Sequence, residues 1–412
     1  MILSKKMLLL GSLVATLNAT SLKEVINMTL ENNDNLKSIQ TINLSKKKAY
    51  DGVDNIYNPT VNIGANILRV DGDKRAVQIG TTSTGFVKFG LELYNGGKSS
   101  AIKKQKEYEY KSAQLSSVVT KKETILQTVN LFFQIQTTKD NIKVLEEKGS
   151  TLKAQYERVK TKYDIKMTTK DEVLKLQSEY ESNQYSIEEL KYQKEMLLQN
   201  LSLLAGKEII SLDKSSVPDI LNFDFQKSEN IKAVEYSIKA QEENTKIIES
   251  VNYPQIKIED SYNFYDYNDK ILSDLPDQQN QFMATISYNL FDTGSKSKIE
   301  AAKLAKLAST QKLNYLTRQE KMIFDLAKKQ LATMQLKIKS QKSAAKMGNS
   351  VYEIVKVKYQ NGIVDNITYL DALSKKIYNQ ALYQKALNDY EVAKANYYFS
   401  SGVDYKNILD KI

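Results

Sequence analysis

Leu93-Tyr94-Asn95-Gly96-Gly97 closes an alternating stretch and opens a very long charged one, and Leu290-Phe291-Asp292-Thr293-Gly294 does the same about 197 positions later. In the stretch before the first corner, Val87, Phe89, Leu91 and Leu93 share one side of a period-two pattern and Lys88, Gly90 and Glu92 the other. Before the second corner, Phe282, Ala284, Ile286, Tyr288 and Leu290 alternate with Thr285, Ser287 and Asn289. Working outward, Asn58-Pro59 is matched by Tyr253-Pro254, Val159-Lys160-Thr161-Lys162-Tyr163 by Val355-Lys356-Val357-Lys358-Tyr359, Leu174 by Leu370 and Gly206 by Gly402. All sit at an offset of about 196. The chain therefore reads as two copies of one unit. The expected organisation is a leader at 1–19, repeat 1 at 20–206, a linker at 207–228 that holds Pro218, repeat 2 at 229–402 and a tail at 403–412.

Each copy predicts helix, strand, strand, very long helix, tip and helix. Repeat 1 gives a helix from Leu22 to Tyr57, stopped because the residue before Pro59 is pushed out of the α region. Strands follow at about 60–70 and 86–94, separated by a polar loop from Asp71 to Gly85, with a tip at about 164–169. Repeat 2 gives strands at about 255–267 and 280–291 and a tip at about 360–367. Each strand is long enough to cross a bilayer as part of a barrel, although one such segment taken alone suits a half-buried soluble hairpin. Four strands cannot close a barrel, and an open edge in lipid leaves backbone groups unpaired. Either the strands form a soluble sheet or several chains pool them, and three chains would supply twelve.

The helices set the scale. Leu115, Val118, Ile125, Val129 and Phe132, then Ile142, Leu145, Leu152, Tyr156, Val159 and Tyr163, fall at alternating steps of three and four, a heptad seam that implies left-handed supercoiling against partner helices. About 65 residues reach roughly 100 Å, and the helix is too charged to lie in lipid. The four prolines, Pro59, Pro218, Pro254 and Pro276, leave room for helices of this length. Lys170 to Ala205 and Leu22 to Tyr57, set end to end, match the long helix beside them, so the short helices are expected to abut near Gly206, the linker and Gly402.

Composition narrows the function. The chain has 412 residues, 41% hydrophobic and 26% charged, with no Cys and no His. Thiolate nucleophiles, Ser-His-Asp triads and the commonest zinc ligands are excluded, and no cofactor or metal is expected. The net charge of +10 is spread through mixed helical runs, which fits a solvated surface and argues against nucleic acid. Lys5-Lys6, the apolar run Met7 to Leu17 and Asn18-Ala19-Thr20 read as a secretory leader cleaved after Ala19; a short membrane anchor is the alternative.

These features resemble the TolC-like outer membrane efflux protein family. The likeness rests on Asn58-Pro59 and Tyr253-Pro254, on the two glycine-marked corners, and on the tip Tyr359-Gln360-Asn361-Gly362 followed by Thr368-Tyr369-Leu370-Asp371-Ala372. It implies a mainly α protein with a small β part: a long α-helical coiled-coil barrel in the periplasm and a trimer-shared twelve-stranded β-barrel in the outer membrane. It further implies a homotrimer in contact with outer-membrane lipid, a periplasmic adaptor (membrane fusion protein) and an inner-membrane pump of RND or ABC type. The expected function is passive conduction in tripartite efflux or type I secretion, without enzymatic activity.

By the same resemblance, the pore constriction falls at Asp371 and Thr368, with Asp365 nearby, and the gate tip at Tyr359, Gly362 and Glu172. Adaptor contacts fall at Lys166, Met167, Gly362 and Ile363. Two positions depart from the family pattern. Lys166 stands where glycine is usual, which leaves a different first loop open. Val364 stands where an arginine latch is usual. Asp371 also reads as a solvated helix-start carboxylate beside a positive dipole end. A periplasmic coiled-coil adaptor or scaffold is the rival reading, and it leaves the alternating strands unexplained. An envelope enzyme is the third, since the corners superficially resemble a phosphate loop or an Asp-Thr-Gly motif.

Overall fold

A computed structural model describes residues 19–53, 59–70, 80–219, 223–268 and 275–404. The leader up to Asn18 and the helix stop at Asn58 lie outside the described residues. The first copy contributes α1 (Leu22–Asn32), α2 (Asp34–Asp51), β1 (Thr60–Arg69), β2 (Thr81–Asn95), α3 (Lys98–Asp164) and α4 (Lys170–Ala205). The second contributes α5 (Glu229–Glu249), a 3-10 turn at Ser250–Asn252, β3 (Gln255–Tyr267), β4 (Gln278–Ser287), α6 (Thr293–Gln360) and α7 (Asn366–Ser400). No described helix is long and apolar enough to cross a membrane. The chain divides into two compact units, and each draws on both copies: one holds the chain up to Ser38, Val119–Ser228 and Gln319–Ile412, the other Ile39–Val118 and Glu229–Arg318.

The helix expected from Leu22 to Tyr57 is two helices. Ser21 starts α1 with a capping box, its hydroxyl accepting from the Glu24 amide at 3.3 Å and its amide donating to the Glu24 carboxylate at 2.8 Å. Asn33 then breaks it with extended backbone. Its Oδ1 accepts from the Leu36 amide at 3.0 Å and caps α2, while its Nδ2 donates to the Leu204 carbonyl near the end of α4 at 2.8 Å. A short asparagine side chain serves both ends, which periodicity alone does not show. The ends of α1 and α4 meet there. Gly206 terminates α4 at φ +65°, and a Cβ on it would lie 2.7 Å from the Asn32 carbonyl, so the site needs both a left-handed turn and no side chain.

In the same unit the linker is packed rather than loose. Ile209, Leu212 and Val217 are buried, and Leu212 forms a parallel bridge with Thr20. Gln136 and Lys139 of α3 donate to the carbonyls of Asp213 and Leu212 at 2.7 and 3.2 Å. Lys394 of α7, 4% exposed, donates to the Val217 carbonyl and pairs with Glu391 at 2.8 Å, and Glu391 in turn accepts from the Val217 amide at 2.6 Å. On α3 the heptad seam buries Ile125, Val129, Phe132, Leu152 and Val159. Phe133 and Ile135, off the seam, are buried as well, at the level where the linker covers the helix.

The other unit carries one antiparallel sheet in the order β1-β2-β3-β4. Two expected strand limits move. β2 begins at Thr81, not Phe86, because Thr81 to Gly85 pair with Arg69 to Ala65, and this Thr/Ser run gave no apolar signal. β4 runs from Gln278 to Ser287, so Tyr288 and Leu290 lie beyond it. Ser287 pairs with Gln255, and the next residue back on β3 is Pro254, which has no N–H to extend the ladder.

Candidate functional site

Two places combine exposure with unusual chemistry: the helix tips in the first unit and the sheet faces in the second. At the tips, α3 turns into α4 through residues 165–169 and α6 into α7 through 361–365. Both turns close alike. The Lys166 amide donates to the Tyr163 carbonyl and the Met167 amide to that of Lys162, both at 2.8 Å. In the second tip the Gly362 amide donates to Tyr359 at 3.1 Å and the Ile363 amide to Lys358 at 2.9 Å. Gly362 sits at φ +70° and Lys166 at φ +62°. The loop left open to differ is therefore the same Schellman turn, with lysine bearing the left-handed strain that glycine avoids. Met167 and Ile363 are exposed beside these turns, 70% and 69%.

Behind the loops lies a tyrosine stack. Tyr369 is buried, its ring parallel to Tyr359 at 4.8 Å, and its hydroxyl lies 3.3 Å from that of Tyr352. Leu373 and Ile377 complete this cluster. Leu370 packs against it and also against Leu152, Val159 and Leu176, so one leucine ties the two tips together. Burial raises the Tyr359 phenol's pKa; the nearby Arg158 guanidinium pulls it back and the Glu172 carboxylate pushes it further up. Burial, and then the hydroxyl of Tyr352, hold the Tyr369 phenol well above its usual range. Glu172 accepts from the Thr168 hydroxyl at 2.5 Å. The structure places Arg158, Glu172, Tyr352 and Tyr369 around Tyr359. Arg158 is one of only four arginines in a lysine-rich chain, and that rarity was the one signal available in sequence.

Asp365 caps α7. Its Oδ1 accepts from the Thr368 amide at 2.8 Å, and hydrogen bonds from the Thr368 side chain and backbone hold its carboxyl below the usual range. Thr368 and Asp371 lie on the exposed side of α7, and Asp371 pairs with Lys375 one turn on at 2.7 Å, with both side chains more than half exposed. Lys375 was not among the expected site residues.

On the sheet, the register gives one mainly apolar and one mainly polar face. Ile63, Val87, Tyr262 and Asn280 form one cross-strand row, and Val61, Phe89, Asp260 and Phe282 the next; Leu91, Ile258 and Ala284 follow. The opposite face carries Asn62, Lys88, Ser261 and Gln281 in one row, with Lys88 and Lys257 both paired to Glu259, the former at 2.9 Å. Among the described residues the mainly apolar face is uncovered: Ile63 is 82% and Ile286 74% exposed. Among the described residues no His/Cys/Asp/Glu cluster could hold a metal.

Residues 25–207 match the protein family described as outer membrane efflux protein. No curated protein sequence matches the chain. Among solved structures, the CmeC outer membrane channel of Campylobacter jejuni aligns at a TM-score of 0.82 and 16% identity, over 95% of this chain and 88% of that one. The outer membrane protein VceC of Vibrio cholerae aligns at 0.79 and 14%, over 93% and 96%. A membrane protein from Pseudomonas aeruginosa aligns at 0.81 and 15%, over 92% and 93%. At these identities the likeness establishes the fold, which extends over both copies.

Proposed function

We infer that this chain is an outer membrane efflux protein and one subunit of a homotrimeric exit duct that passes cargo out of the cell without supplying energy. The observation that carries the reading is the sheet. It has one mainly polar face and one mainly apolar face that no described residue covers, and among the described residues β1 and β4 each pair on one side only. In lipid an apolar face is satisfied and an open edge is not, so strands from several copies must join. Three copies give twelve strands, a number that closes around a polar lumen. A periplasmic scaffold would leave Ile63 and Ile286 in water without a reason.

The helical tips are the inner mouth of this duct, where a periplasmic adaptor and an inner-membrane pump, of efflux or type I secretion kind, would deliver cargo. Lys166, Met167, Gly362 and Ile363 are the exposed contacts offered to the adaptor. The Tyr359, Tyr369 and Glu172 cluster, with Arg158 in place of the missing arginine at Val364, is the element whose repacking opens the tip. Thr368 and Asp371 line the constriction, but the Lys375 ammonium beside each Asp371 makes the ring close to neutral in sum, so strong cation selection is not expected.

The protein extracted in detergent is expected to be trimeric and to form ion-conducting pores in planar bilayers. In a salt gradient, Asp371→Asn is expected to shift the reversal potential toward anion preference. A monomeric extract without conductance would end the duct reading, and an unchanged reversal potential would remove Asp371 from the constriction.

A further inference from the structure

In the first unit α3 runs toward its tip loop and α7 away from its own, and each turns a stripe of the same spacing toward the other. On α3 the stripe is Asn141, Val144, Leu145 and Lys148; on α7 it is Ser374, Ile377, Tyr378 and Ala381. Val144 and Leu145 pack against the cluster that holds Ile377. Ser374 and Ala381 are too small to fill the rest of the space between the stripes. A cavity of about 310 Å³ remains there, lined on its third side by Leu190 of α4. Its chemistry is uneven. Most of the lining is aliphatic. At one end of the α3 stripe the Asn141 Oδ1 is buried with no hydrogen-bond partner among the described residues, an acceptor shut off from protein and water alike. At the other end, about 10 Å along the helix, Lys148 makes no ion pair among the described residues.

We propose that this cavity binds a small aromatic acid bearing one N–H or O–H donor. The donor goes to Asn141, the ring lies between Leu145, Leu190 and Ile377, and the carboxylate meets Lys148. An aliphatic cavity alone would accept any apolar molecule of its size. The orphaned acceptor selects for a donor, and the unpaired ammonium two turns away selects for an acid of one or two rings. The Asn141 amide has to swing toward the cavity to accept, and the bond it fails to make in its present position favours that swing. Val144, Leu145 and Ile377 belong both to the cavity wall and to the cluster of Tyr352 and Tyr369. A seated ligand therefore fastens α3 to α7 in their present packing and opposes the repacking that opens the tip. That effect on opening rests on the reading of the tip given above; the binding site does not.

The experiment follows binding of fluoroindole acetate to the detergent-extracted full chain by fluorine NMR. Fluoroindole, which lacks the anion, and N-methyl fluoroindole acetate, which lacks the donor, serve as analogues. The parent probe is expected to bind about tenfold more tightly than either. Asn141→Leu is expected to abolish only its advantage over the N-methyl analogue, and Lys148→Gln only its advantage over fluoroindole. Ala381→Phe fills the cavity and is expected to remove binding of all three above the detergent background. If Ala381→Phe does not fold, the analogue ranking in the other two variants decides the matter alone. In planar bilayers the probe is expected to lower the open fraction of wild-type pores and to leave Asn141→Leu pores unchanged at the same concentration. Equal binding of the three compounds, or the wild-type ranking retained in both stripe variants, would overturn the site. Binding that leaves the open fraction untouched would overturn the fastening of the tip. Ranked binding by a protein that forms no pores would uphold the site and end the duct reading.

Discussion

Lys166 holds a left-handed backbone at φ +62° where the second tip uses Gly362. A non-glycine residue there costs roughly 1 kcal/mol or more. Lys166→Gly should therefore stabilise the chain by about 1 kcal/mol, read as a shift in the denaturant midpoint with the slope unchanged. A loss of stability would mean that the lysine side chain contributes contacts outweighing its strain. Asp365 acts at the same scale. Its carboxyl is held below its ordinary value of 3.8 by Thr368, so its capping contribution is complete above that pH and is lost as pH falls through the lowered value. Asp365→Ala should bring faster amide exchange at Thr368 to neutral pH, and Asp365→Asn should restore most of the protection and remove the acid dependence. The tyrosine stack has the opposite sign. Tyr359 and Tyr369 are raised above the ordinary 10.0, so their contribution is full below that pH and declines as pH climbs toward the raised values. Alkaline titration should loosen the tip, and Tyr369→Phe should blunt the effect.

Among the elements, the paired helices carry a device repeated in both copies. Gly149 lies mid-helix in α3, and a Cβ on it would come within 2.9 Å of the Asn183 Nδ2, which donates to the Leu145 carbonyl at 3.0 Å. In α6, a Cβ on Gly348 would come within 2.8 Å of the Asn379 Nδ2, which donates to the Ala344 carbonyl at 3.2 Å. A buried amide that bonds a facing backbone fixes the axial register of two helices that a uniform heptad would let slide. Gly149→Ala should cost about 1–3 kcal/mol despite the better helix propensity of alanine, because the cavity for the Asn183 amide is filled. Combined with Asn183→Ala the loss should be well below the sum of the two, since the clash is gone. The linker's hold on α7 is a second element-level matter. Lys394→Ala would leave Glu391 without its cation and free the Val217 carbonyl, at a cost of roughly 3 kcal/mol. Thermal melting and protease sensitivity within 207–219 check this.

For the whole molecule, surface that no described residue covers is the main fact: the mainly apolar sheet face and the two sheet edges. A single chain with these features is incomplete in water, so its stability should depend on assembly. Diluting the detergent-extracted protein should lower the melting temperature together with the trimer fraction. A melting temperature independent of concentration over a range in which the trimer dissociates would show that each chain is stable alone.

The sequence by itself determined the doubled plan, the element order and the fold class, because corners, prolines and periodicity are local signals that recur at a fixed offset. It also located the tip turns, since Lys166 and Gly362 occupy the same position in equivalent segments. Only the tertiary structure decided how Asn33 divides one helix into two, how Pro254 ends β4 by way of its partner strand, and how Lys394 and Glu391 fasten the linker. Arg158 and Tyr369 entered the candidate site in the same way, whereas Lys375 pairs with Asp371 one turn away and was legible locally. Apart from that pair, each depends on which side chain meets which backbone or ring across a gap of tens to hundreds of residues, and no periodicity along the chain encodes that.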